Sequence, residues 1–343
     1  MSASGNNLVL LTGSTGLLGG HMLVHLIKTG KRVRCLVRPT SSLEQLKLIC
    51  SYYNLPFGEL QLSVEWVKGD TLDYIGLCDL MEDVAEVYHC AAIVSFNTKD
   101  RSEVLQTNIQ GTSNMVDAAL KAGVEKFCFI SSIAALGATP DHTPIQEDTP
   151  RKNEDRSSAY SDSKFRSELE VWRGISDGLN AVIVNPGVIL GPGDPKKGSL
   201  LLFQTGRKGM PFYTTATTGY VDVRDVCKIS VELMEKGLFK RRFILISENA
   251  HNGTVFGLVA KEFGKKPPRI LAGKALLKAG VLFSGFTGWI TGTTPQLTKE
   301  TIRSAQNPQA YSNERLRKTL NYSFIPLSET IREIADFLKK NNL

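Results

Sequence analysis

Several features are scarce in these 343 residues, and each scarcity removes a class of protein. The six cysteines (Cys35, Cys50, Cys78, Cys90, Cys128, Cys227) form no CxxC pair and share no metal-ligand spacing with histidine, so no bound metal is expected. Several lie inside apolar runs and read as reduced thiols of a cytoplasmic protein. No apolar run reaches the roughly 20 residues of a membrane-spanning helix. The nearest approach, Ala275–Ile290, contains Lys278 and three glycines, and it reads as a buried or pocket-lining helix, with a peripheral amphipathic helix left open. The polar stretch Ser2–Asn7 runs straight into the strand-like Leu8–Leu11, which leaves no secretion signal visible. There is no internal repeat or low-complexity tract. The net charge of +7 is dispersed, and its densest clusters, Lys240-Arg241-Arg242 and Lys265-Lys266, are short. That distribution suits an anionic small molecule better than a nucleic acid.

What is present is enough apolar residue, 42% of the chain, to bury one full α/β core with a smaller lobe attached. Strand-like runs at Leu8–Leu11, Val33–Val37, Leu62–Val67, Glu86–Cys90, Lys126–Ile130 and Asn180–Val184 alternate with helix-like stretches at Leu17–Lys28, Leu43–Tyr53, Leu72–Met81, Glu103–Ala122 and Ala159–Asp177. Right-handed crossovers turn that alternation into a Rossmann-type, doubly wound parallel sheet whose ligand crevice lies at the carboxyl ends of the strands. Past Pro186 the pattern weakens into turn-rich sequence (Gly191-Pro192-Gly193-Asp194-Pro195). The expected division is a dinucleotide-binding domain over 1–190, with 220–250 returning to it through a strand at Phe243–Ile246. A mostly helical substrate lobe then comprises 191–219 and 251–343.

Two constellations carry chemistry. The turn Thr12-Gly13-Ser14-Thr15-Gly16-Leu17-Leu18-Gly19 joins the first strand to the first helix. Its glycines let the chain turn tightly, admit a pyrophosphate and pack helix against strand, and the helix N-terminus offers free amides to phosphate. The second strand ends in Arg38, where a fold preferring NAD carries an acidic residue. Arginine there suits a 2′-phosphate, so NADP(H) is expected over NAD(H). Asp70 fits either an adenine contact or a plain turn or N-cap aspartate. Ala91 and Ala92 are small enough to let the backbone approach a cofactor, and His89 reads as a packed strand-end histidine. Downstream, Tyr160 and Lys164 lie four apart on one helix face, where a lysine ammonium would lower the tyrosine pKa toward the working pH. Tyr160 can then give a proton to a carbonyl oxygen as hydride arrives, with Lys164 also holding the cofactor's ribose hydroxyls. Ser132 is the better candidate for orienting the substrate oxygen; Ser131 competes with it, and one of the two is structural.

These motifs, taken in order, resemble the extended short-chain dehydrogenase/reductase family of the NAD-dependent epimerase/dehydratase type, from Thr12 to about Leu338. The resemblance is carried by the glycine turn, His89-Cys90-Ala91-Ala92, Asn108-Ile109-Gln110-Gly111-Thr112, the SSIAALG run at 131–137, YSDSK at 160–164, Asn185 to Gly193, and Tyr220 to Val226. It implies catalytic roles for Ser132, Tyr160 and Lys164, support of the active site by Asn108, and a nicotinamide bordered by Pro186, Gly187 and Val188. Asp222 and Asp225 look structural. Arg38 and the two runs around Ser132 and Pro186 look most like the dihydroflavonol reductase and hydroxysteroid dehydrogenase branch. Sugar-nucleotide dehydratases need an Asp-Glu pair where this chain has Ile133-Ala134. Epimerases need only the Ser/Tyr/Lys set, but they hold NAD, which Arg38 argues against. A silent dinucleotide sensor would have no use for an intact proton donor. The expectation is therefore an NADPH-dependent reductase of a ketone or aldehyde, with a pocket built from Ile93–Asp100, Phe203–Tyr220 and Ala275–Trp289. Phe96, Phe212, Tyr213 and Phe286 are its candidate lining residues, and homodimers are common among relatives of this fold.

Overall fold

The computed structural model describes residues 8–139, 143–152, 158–273 and 308–343. Seven parallel strands form the main sheet: β1 (Leu8–Thr12), β2 (Arg32–Val37), β3 (Val64–Lys68), β4 (Glu86–His89), β5 (Lys126–Ile130), β6 (Ala181–Pro186) and, introduced later in the chain, β10 (Arg241–Leu245). Their spatial order is β10-β6-β5-β4-β1-β2-β3. All neighbours pair in parallel, with Leu10 opposite Arg34 and Val87 in the flanking strands. The strand order reverses between β1 and β4, and a ligand crevice opens at such a switch point.

Strands buried on both faces must be apolar throughout, and β1 (LVLLT) is buried at all five positions. On one face its Val9 and Leu11 join Met22, Leu23 and Leu26 of α1 (Leu17–Lys28) and Val226 and Ile229 of α9 (Val223–Glu235). On the other, Leu8 and Leu10 pack with Met115, Val116 and Ala119 of α6 (Gly111–Ala122) and Val171 of α7 (Ala159–Ser176). A separate core joins Phe203, Val255 and Val259 to Ile331 and Ile334 of the C-terminal helix Leu327–Lys340. A second sheet, order β11-β9-β7, is built from β7 (Val188–Leu190), β9 (Thr217–Asp222) and β11 (Glu248–His251). As expected for a structural pair, Asp222 caps α9 by accepting from the Arg224 amide (2.8 Å), and Asp225 pins the Tyr322–Ile325 loop.

Most expected elements shift by one or two residues at an end, and two of the differences have a clear local cause. The strand expected from Leu62 begins at Val64, because Pro56 starts a short helix over Phe57–Leu62 that leaves Leu62 91% exposed. The single helix expected over Glu103–Ala122 is an α-turn at Arg101–Leu105, a π-turn at Gln106–Gln110, and then α6. All six cysteines are free thiols. No helix among the described residues is long and apolar enough to cross a membrane. The Ala275–Ile290 stretch and Phe286 lie outside the described residues.

Two histidines are sealed in this core as neutral rings. His21 donates from Nε2 to the Pro192 carbonyl and accepts from the Tyr53 hydroxyl at Nδ1, both at 2.8 Å. Burial lowers its pKa to about 4 and that of His89 to about 3. Since unfolding lets each ring protonate at its ordinary value, their contribution is fully present above about pH 6.5 and drains away as pH falls toward 4. It is on the order of 3 kcal/mol per ring. Asp225, pushed up to about 6 by burial, acts in the opposite sense and offsets part of the loss. Denaturant unfolding at pH 7.5 and 5.0 should therefore show a clear drop in stability at the lower pH, smaller in a His89→Gln variant. Equal stabilities at the two pH values would exclude buried neutral histidines as the cause.

Candidate active site

The candidate catalytic and cofactor residues fall at the carboxyl ends of strands or on the turns and helices that follow. At the end of β1, Gly13 adopts φ +74°, a left-handed conformation that glycine takes freely. A Cβ there would stand 2.8 Å from the Ala91 nitrogen, so the turn lies directly on the backbone that follows β4. A Cβ on Gly19 would sit 2.1 Å from the Gly13 oxygen, which lets α1 start against the turn. Gly16 is exposed at the crest, and its Cβ would meet only the Gly13 oxygen, at 3.3 Å. The protein's own packing thus demands glycine at 13 and 19, whereas at 16 the cleared space faces outward, as a cradle for an approaching phosphate requires. The first-turn amides of α1 have no intrahelical acceptor, and no acidic side chain occupies that turn. Ser14 is buried beneath the turn, which leaves its backbone for any ligand contact, while Thr15, Leu17 and Leu18 are partly exposed.

Arg34 and Arg38 separate clearly. Arg34 is consumed by Glu65 (2.7 Å) and by the Leu80 and Glu82 carbonyls (both 2.8 Å). Arg38, just past β2, is exposed, and its guanidinium has no protein partner among the described residues. Asp70 behaves as a turn residue, its carboxylate accepting from the Leu72 amide at 3.0 Å.

At the end of β4 the Ala91 amide donates to Thr12 Oγ1 (3.1 Å), which also hydrogen-bonds His89 Nδ1 (2.8 Å), giving its proton there because the other ring nitrogen is the donor to Thr112. His89 Nε2 donates onward to Thr112 Oγ1 (3.2 Å), and Thr112 donates to the Asn108 carbonyl (2.7 Å). His89 also stacks on Phe129. It is a packed strand-end residue with both nitrogens engaged. Asn108 sits in the π-turn, a local distortion common at functional sites. Its side chain accepts from the Ile93 amide (2.8 Å) and donates to the Ile93 carbonyl (3.0 Å) and Ser163 Oγ (2.8 Å). It thereby clamps the loop after β4 to α7, so the geometry fits a positioning role.

The α7 N-terminus is capped by Ser158, whose hydroxyl accepts from the Ser161 amide, and Ser161 Oγ donates to the Ala134 carbonyl (2.6 Å). This stitches Tyr160 to the turn after β5. Ser132 caps that turn by accepting from the Ala134 amide (3.1 Å), and its hydroxyl is the group that opposes the effect of burial on the Tyr160 phenol. Ser131 instead donates to the buried Glu168 carboxylate (2.5 Å). Lys164 is 3% exposed; its ammonium donates to the Ile130 carbonyl (2.7 Å) and lies 4.9 Å from the Phe129 ring centre. Burial lowers its pKa to about 8.

The expectation that Lys164 lowers the Tyr160 pKa needs correction. Withdrawal from water raises the phenol above its ordinary value, and the opposing influence is the Ser132 hydrogen bond. The reason is orientation, since the ammonium is turned down onto the strand end. Tyr160 is thus held protonated, the state a proton donor needs. Its ring meets Phe96 edge-on at 5.8 Å, and Phe96 (38% exposed) and Val94 (62% exposed) leave apolar surface open beside it. At the end of β6, Pro186, Gly187 and Val188 lead into β7, and a Cβ on Gly187 would stand 2.3 Å from the Gly219 oxygen. Phe212 and Tyr213 form a two-residue strand paired with Ile270–Leu271, whose side chains are half exposed. The residue that sequence reasoning missed is Glu168.

The family model described as "NAD dependent epimerase/dehydratase family" matches residues 9–244. A Synechocystis protein named "Putative dihydroflavonol 4-reductase" is 33% identical over 263 residues, 73% of each chain. "Sterol demethylase protein B" of Methylococcus capsulatus is 29% identical over 326 residues, 91% of this chain and 92% of its own. "Cinnamoyl-CoA reductase 2" of Arabidopsis thaliana is 30% identical over 278 residues, covering 76% and 79%. Among solved structures, that of gox2253 is similar over 98% of both chains, with a TM-score of 0.81 at 30% identity.

Proposed function

The chain belongs to the NAD-dependent epimerase/dehydratase group of extended short-chain dehydrogenases/reductases, and from that premise we propose that it reduces a ketone or aldehyde with NADPH, Tyr160 supplying the proton. Membership of the family makes it an NAD(P)-dependent oxidoreductase. The reading rests most heavily on one observation: the first turn of α7 is stitched through Ser161 to the turn that carries Ser132, which sets Tyr160 at the strand ends beside the open apolar surface of Phe96 and Val94. The names of the dihydroflavonol and cinnamoyl-CoA reductase relatives support net reduction.

In this reading the amides of the Gly13–Gly19 turn hold the cofactor's phosphates, and Pro186, Gly187 and Val188 border its nicotinamide. Ala91 and Ala92 line its path, and Asp70 flanks the adenine side. NADPH, when bound, supplies hydride to the carbonyl carbon. Ser132 orients the carbonyl oxygen, and Tyr160 gives that oxygen its proton as charge builds there. Lys164, whose pKa burial lowers to about 8, would hold the ribose hydroxyls. The edge of Phe96 and the exposed Val94 make the entrance apolar, which fits a hydrophobic carbonyl compound, and segments 191–219 and 251–343 complete the substrate side.

NADPH preference rests on Arg38, whose guanidinium has no protein partner among the described residues, whereas Arg34 is engaged by Glu65 and the Leu80 carbonyl. Arg38→Ala should raise the NADPH Kd about 10- to 100-fold and leave NADH binding within about twofold, because only the 2′-phosphate loses its charge-assisted hydrogen bonds. Fluorescence titration with both cofactors reads this out, and an unchanged ratio would remove the argument for NADPH. Substrate identity is approached with NADPH and a panel of aromatic, steroidal, acyl-CoA and sugar-nucleotide carbonyls.

A further inference from the structure

We propose, resting on the carbonyl-reductase reading, that Glu168 is a positioning residue whose buried carboxylate locks the Tyr160/Lys164 helix to the strand ends carrying Ser132 and Pro186–Val188. Glu168 lies four residues beyond Lys164 and eight beyond Tyr160, on the same face of α7. It is 1% exposed. Its Oε1 accepts from Ser131 Oγ and from Asn185 Nδ2, each at 2.5 Å, and its Oε2 pairs with Arg242 of β10 at 2.9 Å. Asn185 Nδ2 also donates to the Ser132 carbonyl at 3.0 Å. One carboxylate therefore joins the ends of β5 and β6, the edge strand β10 and the helix bearing the proton donor. A buried charge is costly to keep, and apolar packing would hold a helix to a sheet at least as well. A carboxylate at this place is explained by what it orients and by the field it exerts.

That field falls on Lys164. The groups facing its ammonium are the Ile130 carbonyl and Phe129 ring of β5, His89 and Cys90 at the end of β4, and Glu168 on α7. His89 titrates near 3 and the Cys90 thiol is pushed up to about 12, so both are neutral through the working range. With Cys90 neutral, the ion-paired Glu168 is a group that opposes the effect of burial on Lys164.

The test reads the cofactor-free protein as well as the enzyme. With isotope label at the lysine Cε, NMR titration gives the Lys164 midpoint, its signal assigned by loss in Lys164→Met. Glu168→Gln should lower the midpoint by about one pH unit and kcat by about tenfold. Ser131→Ala, which removes one hydrogen bond and no charge, should lower kcat severalfold with the midpoint unmoved. A folded Glu168→Gln protein with wild-type midpoint and wild-type kcat overturns the proposal. If that variant does not fold, Arg242→Gln carries the test: freed of its partner cation, the carboxylate acts more strongly on Lys164 and the midpoint should rise, whereas an unmoved midpoint overturns the proposal. Should the wild-type protein reduce no carbonyl, the reductase reading fails while the midpoint still reports on Glu168.

Discussion

Tyr160→Phe should lower kcat by at least about a thousandfold, roughly 4 kcal/mol of barrier, while the NADPH Kd stays within about twofold. The substitution removes one oxygen and nothing else. The ring keeps its edge contact with Phe96 and its place in the first turn of α7, which Ser158 caps and Ser161 anchors independently. Loss of the hydroxyl's interaction with Ser132 costs about 1 kcal/mol, because Ser132 retains the Ala134 amide. What disappears is the proton that the carbonyl oxygen must receive as hydride arrives. Water entering the space is a poor substitute, since nothing holds it where the helix fixes the phenol hydroxyl. Steady-state kinetics with a thermal melt distinguishes loss of chemistry from loss of fold. Activity within tenfold of wild type, in a folded variant that binds cofactor, would mean that another group supplies the proton.

Gly19→Ala should abolish measurable cofactor binding, with affinity reduced more than about a hundredfold, or roughly 3 kcal/mol. The new Cβ would stand 2.1 Å from the Gly13 oxygen and 2.5 Å from its carbonyl carbon, both backbone atoms with no side chain to swing aside. Only a shift of the α1 N-terminus relieves that overlap, and the amides that would face the phosphates move with it. Gly13→Ala should behave similarly for two reasons, its φ of +74° and the 2.8 Å approach to Ala91 and Cys90. Strain at either position should also cost on the order of 2 kcal/mol of stability. Gly16→Ala is the informative control. With only one contact, at 3.3 Å, it should fold and melt like wild type yet bind NADPH less well, because the space it fills lies on the ligand's side of the turn. Calorimetric titration and thermal melts on the three variants give the comparison. Equal affinities in all three would show that the turn is not the phosphate site.

The bounds of α1 and of β5 were legible to the residue, because each has a local cause: the glycine turn opens α1, and an apolar run ending in Ser131-Ser132 closes β5. The π-turn at Gln106–Gln110 was not. Its extra residue is held by bonds from Asn108 to Ile93 and Ser163, which are remote in sequence and leave the apolar spacing of a helix unaltered. Ser132 already read as the better candidate of the pair, but the partner that occupies Ser131 was hidden for a related reason: it is Glu168, which in sequence is one acid on an amphipathic helix and reads as solvated. Its burial depends on Asn185 and on Arg242, which reaches it from the far edge of the sheet. The Tyr160-Lys164-Glu168 spacing of four and four was the one available sign. Proximity of Tyr160 to Lys164 could be read from that spacing, but the direction of the ammonium could not, since the Ile130 carbonyl that captures it lies on another strand.

The most direct test of net carbonyl reduction uses NADPH carrying deuterium at the transferable C4 position, incubated with the carbonyl panel and followed by mass spectrometry of the products. One deuterium at the new carbinol carbon for each NADPH consumed is the expected result, absent in Tyr160→Phe. Interconversion of sugar-nucleotide epimers by protein that retains bound NAD, with no NADPH consumed and no deuterium in any product, would contradict it.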